Sequence, residues 1–305
     1  MSYVTVIGAA TMDISAKSAR RIIPCDSNPG TIRRSIGGVG RNVADNLARL
    51  SAPVKLIVAV GEDLFGAEIL EGCRCVGIDV SHCPCIAGVS TSTYNAVLDA
   101  DGEMHVAVMD DSCLLSMAHI EAHADAIADS RLIVLDMNLD AGLIGEILGR
   151  FAGIDFYAET VSSTKAQKIK EHVGRFHTIK MNALEASVLA GMEIESEADI
   201  CAAGDYFMRA GTKRVVISLG ARGLYYRTRD EEIRLTTMPL SPQNATGAGD
   251  AMMAGLVYCS VAGKSAAYTA EFAQTMAQIA LMSETTVSER ICVQNVEKQM
   301  RGIKS

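Results

Sequence analysis

No uncharged apolar run in this chain approaches the roughly 20 residues that cross a bilayer, so no membrane partner is expected. The opening stretch, MSYVTVIGAATMDI, also lacks the basic start and continuous apolar core of an export signal. Positive charge is scarce: 28 Lys and Arg stand against 36 Asp and Glu, a formal net charge of −8. That balance excludes a broad polyanion-binding face and hence a nucleic-acid partner, while leaving room for a local pocket that takes a small anion. There is no internal repeat, low-complexity tract or long linker. Nine cysteines without an export signal read as reduced thiols, and a cytoplasmic location is expected.

What is present is an ordinary globular balance, with 49% hydrophobic and 21% charged residues over 305 positions. Short β-branched runs alternate with longer amphipathic stretches. Strands are expected at 3–8, 54–60, 132–136, 155–158 and 215–219. Helices are expected at 42–50, 120–128, 143–151, 184–191 and 202–211; in the first, Val43, Leu47 and Leu50 share one face. This alternation predicts an α/β fold, a Rossmann-like, mainly parallel sheet flanked by helices, with ligands at the carboxyl ends of its strands. Two regions interrupt it. Residues 14–38 read as irregular, with Pro24, Pro29 and Gly30 between short segments, whereas 91–109 reads as a hairpin turning at DADG. These regions, roughly 14–38 and 88–110, are expected to form a small β-sheet lid inserted into one domain spanning 1–305.

Two glycine clusters precede helical patterns. In GGVGRNVADNLARL (37–50), Gly37, Gly38 and Gly40 permit close backbone approach, and Val43 stands where a dinucleotide fingerprint needs glycine. The stretch reads either as a simple turn into a helix or as a ligand contact, and the Arg41–Asn42 pair favours the ligand, because polar side chains at a helix start need partners. NATGAGDAMMAG (244–255) lacks the lysine of a P-loop. Its Thr246-Gly247-Ala248-Gly249 run can still aim successive N–H groups at one anion, with Asp250 beside it. An acid next to an anion hole is costly unless it handles a proton, so a base adjacent to a transferring phosphate is the natural reading; a helix cap is the structural one. SLGARGLYY (218–226) suits a nucleotide phosphate or a plain turn. In KMNALEA (180–186), Asn182 and Glu185 suit a hydrated magnesium ion or a capping box. Cys73, Cys75, His82, Cys83 and Cys85 lack zinc-ligand spacing, and His119 and His123 lack the correctly placed glutamate of a zinc helix.

Taken in order, GGVGRNVA, KMNALEA, SLGARG and TGAGDAMMAG resemble the ribokinase-like (PfkB) family of carbohydrate and nucleoside kinases over essentially the whole chain. Within that family, DSNPGTIRRSIGGVGRNVADNLARL and NATGAGDAMMAGL look most like the members that phosphorylate pseudouridine, and TSTYNAVLDADGEM fits their lid hairpin. The resemblance implies transfer of phosphate from ATP to a ribose 5′-hydroxyl, with ATP and Mg2+ as cofactors. It makes Asp250 the base and Gly247, Ala248 and Gly249 the anion hole. Asp13, Gly38 and Asn42 would hold ribose hydroxyls, with Gly37 and Arg41 beside them on the substrate side. Asn28, Thr91, Thr93 and Asn138 are candidates to read the base. Asn182, Ser218, Gly220, Gly223 and Thr246 would bind the nucleotide, and Glu185 would hold magnesium through water.

Two positions depart from the family pattern. Asn244 stands where many members carry Asp, which weakens the case for a monovalent-cation site, and Glu159-Thr160 replaces a common Asp-Pro pair. Exposed lid edges favour a homodimer through the lid. The other readings are a kinase of the same family acting on ribose, adenosine or another nucleoside, a catalytically silent nucleoside-binding sensor, and a zinc-containing structural protein.

Overall fold

The computed structural model describes residues 3–237 and 246–303; Asn244 lies outside the described residues. Its main sheet places, from one edge to the other, β14 (Glu232–Leu235), β13 (Leu224–Thr228), β12 (Arg214–Ser218), β11 (Thr178–Asn182), β10 (Phe156–Glu159), β9 (Leu132–Asp136), β1 (Val4–Ile7) and β4 (Val54–Ile57). The six strands from β12 to β4 run parallel, and β13 and β14 are antiparallel additions at one edge.

Side-chain alternation explains why both faces are covered. Val4, Val6, Leu132 and Val134 enter one apolar cluster, while Ile7, Ile133, Leu135, Val215 and Ile217 enter the other. The first face is covered by α1 (Val39–Arg49), α9 (Ala248–Val261) and α10 (Ala266–Leu281). The second is covered by α5 (Ala141–Arg150), α7 (Ala183–Ala190) and α8 (Glu197–Ala210). Val43 and Leu47 are fully buried, as the helical spacing predicts. α9 is buried without a break from Asp250 to Val257, so it runs through the core and its first turn is held rigidly.

The expectation for residues 14–38 needs correction: most of this region is regular strand. β2 (Thr11–Ser18) and β3 (Gly30–Gly37) pair over eight residues, and β2 also pairs with β7 (Thr93–Leu98) of the hairpin formed with β8 (Met104–Asp110). The resulting sheet has the order β3-β2-β7-β8. Its DADG turn falls at 99–102, where Gly102 has φ 90° and donates to the Asp99 carbonyl. Only the stretch between β2 and β3 is irregular, and Asn28 organises it. The helix expected at 120–128 is two short pieces, Met117–Glu121 and Ala124–Ala128, because His123 N–H bonds Ile120 O three residues back and breaks the α ladder. Among the described residues no helix is long and apolar enough to cross a membrane, and no group of three metal-ligating side chains forms a cluster.

Candidate active site

The carboxyl ends of β1, β9, β10 and β11 meet the first turns of α1 and α9. Gly247 opens α9 at φ 87°, and a Cβ there would lie 2.1 Å from the Thr286 carbonyl oxygen, so only glycine fits. Three residues on, Asp250 is 7% exposed and accepts a 2.8 Å hydrogen bond from Asn42 Nδ2 on α1. Burial pushes its carboxyl up to about 7; the nearby Glu159 charge adds to this, while the Asn42 bond and the Lys180 ammonium oppose it. A carboxyl poised there exchanges a proton near neutrality.

Asn42 is itself locked. Arg41 donates to Asn42 Oδ1 and to the Ile36 carbonyl, both at 3.0 Å, and pairs with the buried Asp45 carboxylate at 3.0 Å. With its oxygen held by Arg41, the Asn42 amide presents its NH2 to Asp250. Gly38, at φ 91°, precedes α1 and packs so tightly on the Ala9–Ala10 backbone that a Cβ would come within 2.5 Å of it. The Asp13 carboxylate lies over the Cα of Gly37, accepts from Thr11 Oγ1 at 2.8 Å, and has its pKa raised, chiefly by burial. Asp13 thus adjoins Gly37, and Arg41 adjoins Asn42, which reaches Asp250 from the start of the same helix that Gly38 precedes.

Beneath the α9 turn lies a buried ion pair. Lys180 Nζ on β11 donates to Glu159 Oε1 on β10 at 2.8 Å. Burial works against the ammonium, but Glu159, Glu185 and Asp250 outweigh it and hold the Lys180 pKa above its ordinary value. A Cβ on Gly249 would lie 2.5 Å from this Nζ, so the bare backbone of the glycine run sits directly on a fixed positive charge. The second oxygen of Glu159, Oε2, is buried and has no hydrogen-bond partner among the described residues. Asn182 and Glu185 do form the capping box of α7. Glu185 also accepts from Thr160 Oγ1 at 2.6 Å and from Asn182 Nδ2 at 2.8 Å, which ties the ends of β10 and β11 together.

Ser218, Gly220, Gly223, Ala248 and Gly249 line one cavity of about 180 Å³, whose remaining wall is Thr237, Met252, Gln274, Ala277, Gln278 and Leu281. Thr246 is exposed just ahead of it, in the turn before α9. Asn138, just beyond β9, lines a second cavity together with the 8–11 backbone. The other proposed base readers do not gather there. Asn28 uses its amide in a local turn, bonding the Ile23 and Asp26 backbone. Thr91 is buried in the cap of the helix Leu64–Cys75, donating to Asp63 Oδ1 at 2.6 Å and accepting from Gly61 N at 2.9 Å. Thr93 opens β7 beside Met12 and accepts from Asn95 Nδ2.

Sequence reasoning missed Asp136, at the end of β9. This fully buried carboxylate accepts from Ala9 N at 2.8 Å, Gly40 N at 2.6 Å and Asn138 N at 2.8 Å, so it fixes the β1 loop and the start of α1 together. An acid ending the apolar run LIVLD was the available signal. Lys180 was passed over inside KMNALEA, where its partner lies 21 residues away.

The model of the pfkB family carbohydrate kinases matches residues 1–290. The pseudouridine kinase of Escherichia coli is 36% identical over 96% of this chain and 95% of its own. A second Escherichia coli protein, described as an uncharacterized sugar kinase, is 34% identical over 92% of this chain and 78% of its own. Among solved structures, a Clostridium perfringens protein described as a sugar kinase superposes with a TM-score of 0.91 at 31% identity, covering 99% of this chain and 96% of that one. With its glycine turn, buried acid and parallel sheet, the chain belongs to the pfkB family of carbohydrate kinases.

Proposed function

We propose that this protein transfers the terminal phosphoryl group of ATP to the ribose 5′-hydroxyl of pseudouridine. The observation that carries the reading is Asp250, a carboxyl held near neutrality by burial and placed in the first turn of α9 against the Gly247–Gly249 backbone. In this reading Asp250 takes the hydroxyl proton as the oxygen attacks. The N–H groups of Gly247, Ala248 and Gly249 hold the charge that develops on the transferred group, with the Lys180 ammonium beneath them. One well-placed donor of this kind is worth about 3 kcal/mol of transition-state stabilisation. Asp13, Gly38 and Asn42 hold the ribose, and Ser218, Gly220 and Gly223 wall the nucleotide cavity.

The residues present fit a hydrated Mg2+. Glu159 Oε2 is a buried oxygen without a proton donor among the described residues, and Glu185 and Asn182 stand at the adjoining strand end. When bound, the ion would supply charge neutralisation on the phosphates, with Glu185 holding it through water. The four-stranded sheet acts as a lid that excludes water, which would otherwise compete as acceptor. Ile32, Ala16, Val97 and Val106 form one row across its four strands, and Ile32 and Val106 are 73% and 53% exposed. Covering this row by a second copy makes a homodimer through the lid. A cytoplasmic site of action accords with free ATP and a soluble nucleoside.

Support for pseudouridine over other acceptors comes from the 36% identity to the Escherichia coli enzyme over nearly the whole of both chains. Another sugar or nucleoside acceptor is the second reading, favoured by the 34% identical sugar kinase. A panel of pseudouridine, uridine, adenosine and ribose with ATP, read as ADP release, separates them. The expected result is highest kcat/KM with pseudouridine; preference for ribose or adenosine refutes the substrate assignment.

A further inference from the structure

We propose that Lys165 is a specificity-determining residue that reads a carbonyl oxygen of the nucleoside base. This rests on the reading of the protein as a nucleoside kinase. The cavity next to the residues proposed to hold the sugar is lined by Ala9, Ala10, Asn138 and Lys165, with Asp111 and Asp140 also in its wall. The Ala9–Ala10 backbone is the same segment that packs against Gly38, so the cavity adjoins the residues proposed to hold the ribose, and we place the base on this side of the sugar.

Lys165 is half-buried, and its ammonium donates one proton to Asn138 Oδ1. The loop that carries Asn138 is braced from both ends. Asp136 accepts the Asn138 N–H at 2.8 Å, and Lys168 Nζ bonds the carbonyls of Met137 and Leu139 at 3.1 and 2.7 Å. The Lys165 head is therefore anchored at a fixed point of the cavity wall. An ammonium has three donors and no acceptor, and among the described residues only Asn138 takes one, so two protons are left for a ligand. A ring with carbonyl groups flanking an N–H, the pyrimidinedione pattern, supplies the matching acceptor. An exocyclic amine at the same place would set donor against donor. With the oxygen read being the one that cytidine replaces by an amine, selection is for dioxopyrimidine nucleosides over cytidine and adenosine, and is separate from the choice between pseudouridine and uridine.

The test compares wild type with Lys165→Met and Lys165→Arg. Readouts are pseudouridine Kd by calorimetry, kcat and KM for pseudouridine and cytidine, KM for ATP, and the thermal midpoint. A hydrogen bond to a charged group is worth about ten- to hundredfold in affinity. Lys165→Met is expected to weaken pseudouridine binding by at least about tenfold and to raise its KM more than it lowers kcat. The pseudouridine-to-cytidine preference should narrow, ATP KM and thermal midpoint should stay put, and Lys165→Arg should recover part of the loss. Unchanged pseudouridine affinity in Lys165→Met overturns the proposal. So does a loss shared equally by pseudouridine, cytidine and ATP, which marks a structural role. Failure of the wild-type enzyme to bind or phosphorylate any nucleoside refutes the parent reading instead, and it shows before any variant is made.

Discussion

Replacing Asp250 by Asn removes the titrating group while keeping the size of the side chain and an oxygen for Asn42 Nδ2. The folded carboxyl sits at about 7 against an ordinary value of 3.8, with burial as the main cause. At about 1.4 kcal/mol per pH unit, ionising it inside the protein costs about 4 kcal/mol. The sign follows from the raised value. Below pH 3.8 the carboxyl is protonated in both folded and unfolded chains and costs nothing. Between 3.8 and about 7 the unfolded chain has released its proton and the folded one has not, so stability falls as pH rises. Above 7 the full cost is present. Asp250→Asn is therefore expected to be more stable than wild type at pH 8, by up to about 4 kcal/mol. The difference should shrink steadily toward pH 4. Urea denaturation of both proteins without substrates, at pH steps from 4 to 8, measures it, and titrations common to both proteins cancel in the comparison. A variant less stable than wild type at pH 8, or a difference that does not change with pH, refutes the reasoning.

Three further outcomes follow from the same cluster. The pH profile of kcat/KM should fall about tenfold per unit below about pH 7, as Asp250 takes up its proton in the free enzyme; a flat profile from pH 6 to 8 contradicts this. Lys180→Met leaves the Glu159 carboxylate buried and unpaired, which should cost about 3–5 kcal/mol by denaturant titration. Adding Glu159→Gln should restore much of it, and a double variant no more stable than the single would argue against the pairing. Gly249→Ala would put a methyl 2.5 Å from a lysine head that Glu159 already pins. It should fold, yet lose at least about tenfold in kcat because the α9 turn no longer lies flat on the charge; wild-type kcat would contradict that.

Features written in short local patterns were legible in the chain. α1 was readable from Val43 and Leu47, and the α9 turn from glycines directly before an apolar run, because helix entry is decided within a few residues. The hairpin was readable from DADG for the same reason. β2 and β3 were not, since they are joined by eleven residues and their alternation is diluted by Asp13, Lys17, Arg33 and Arg34. The site divides along the same line. The Asn42–Asp250 bond joins two quoted motifs separated by 208 positions, and both ends were named although their contact was not. Lys180 carried no local signal and Asp136 only a faint one, because their importance lies in what the sheet brings to them: a glutamate on the neighbouring strand for the first, backbone N–H groups of two distant segments for the second. Thr91 shows the opposite error. It was a candidate to read the base, and the fold commits its hydroxyl to the Asp63 cap.

The central claim is that Asp250 takes the hydroxyl proton during phosphoryl transfer, and turnover by Asp250→Asn tests it most directly. Rapid-quench measurement of phosphorylated pseudouridine should show the rate reduced by about 10²–10⁴-fold. Calorimetry on the same protein should give a pseudouridine Kd within about threefold of wild type, since uniform binding is untouched. Near-normal turnover by this variant would contradict the account.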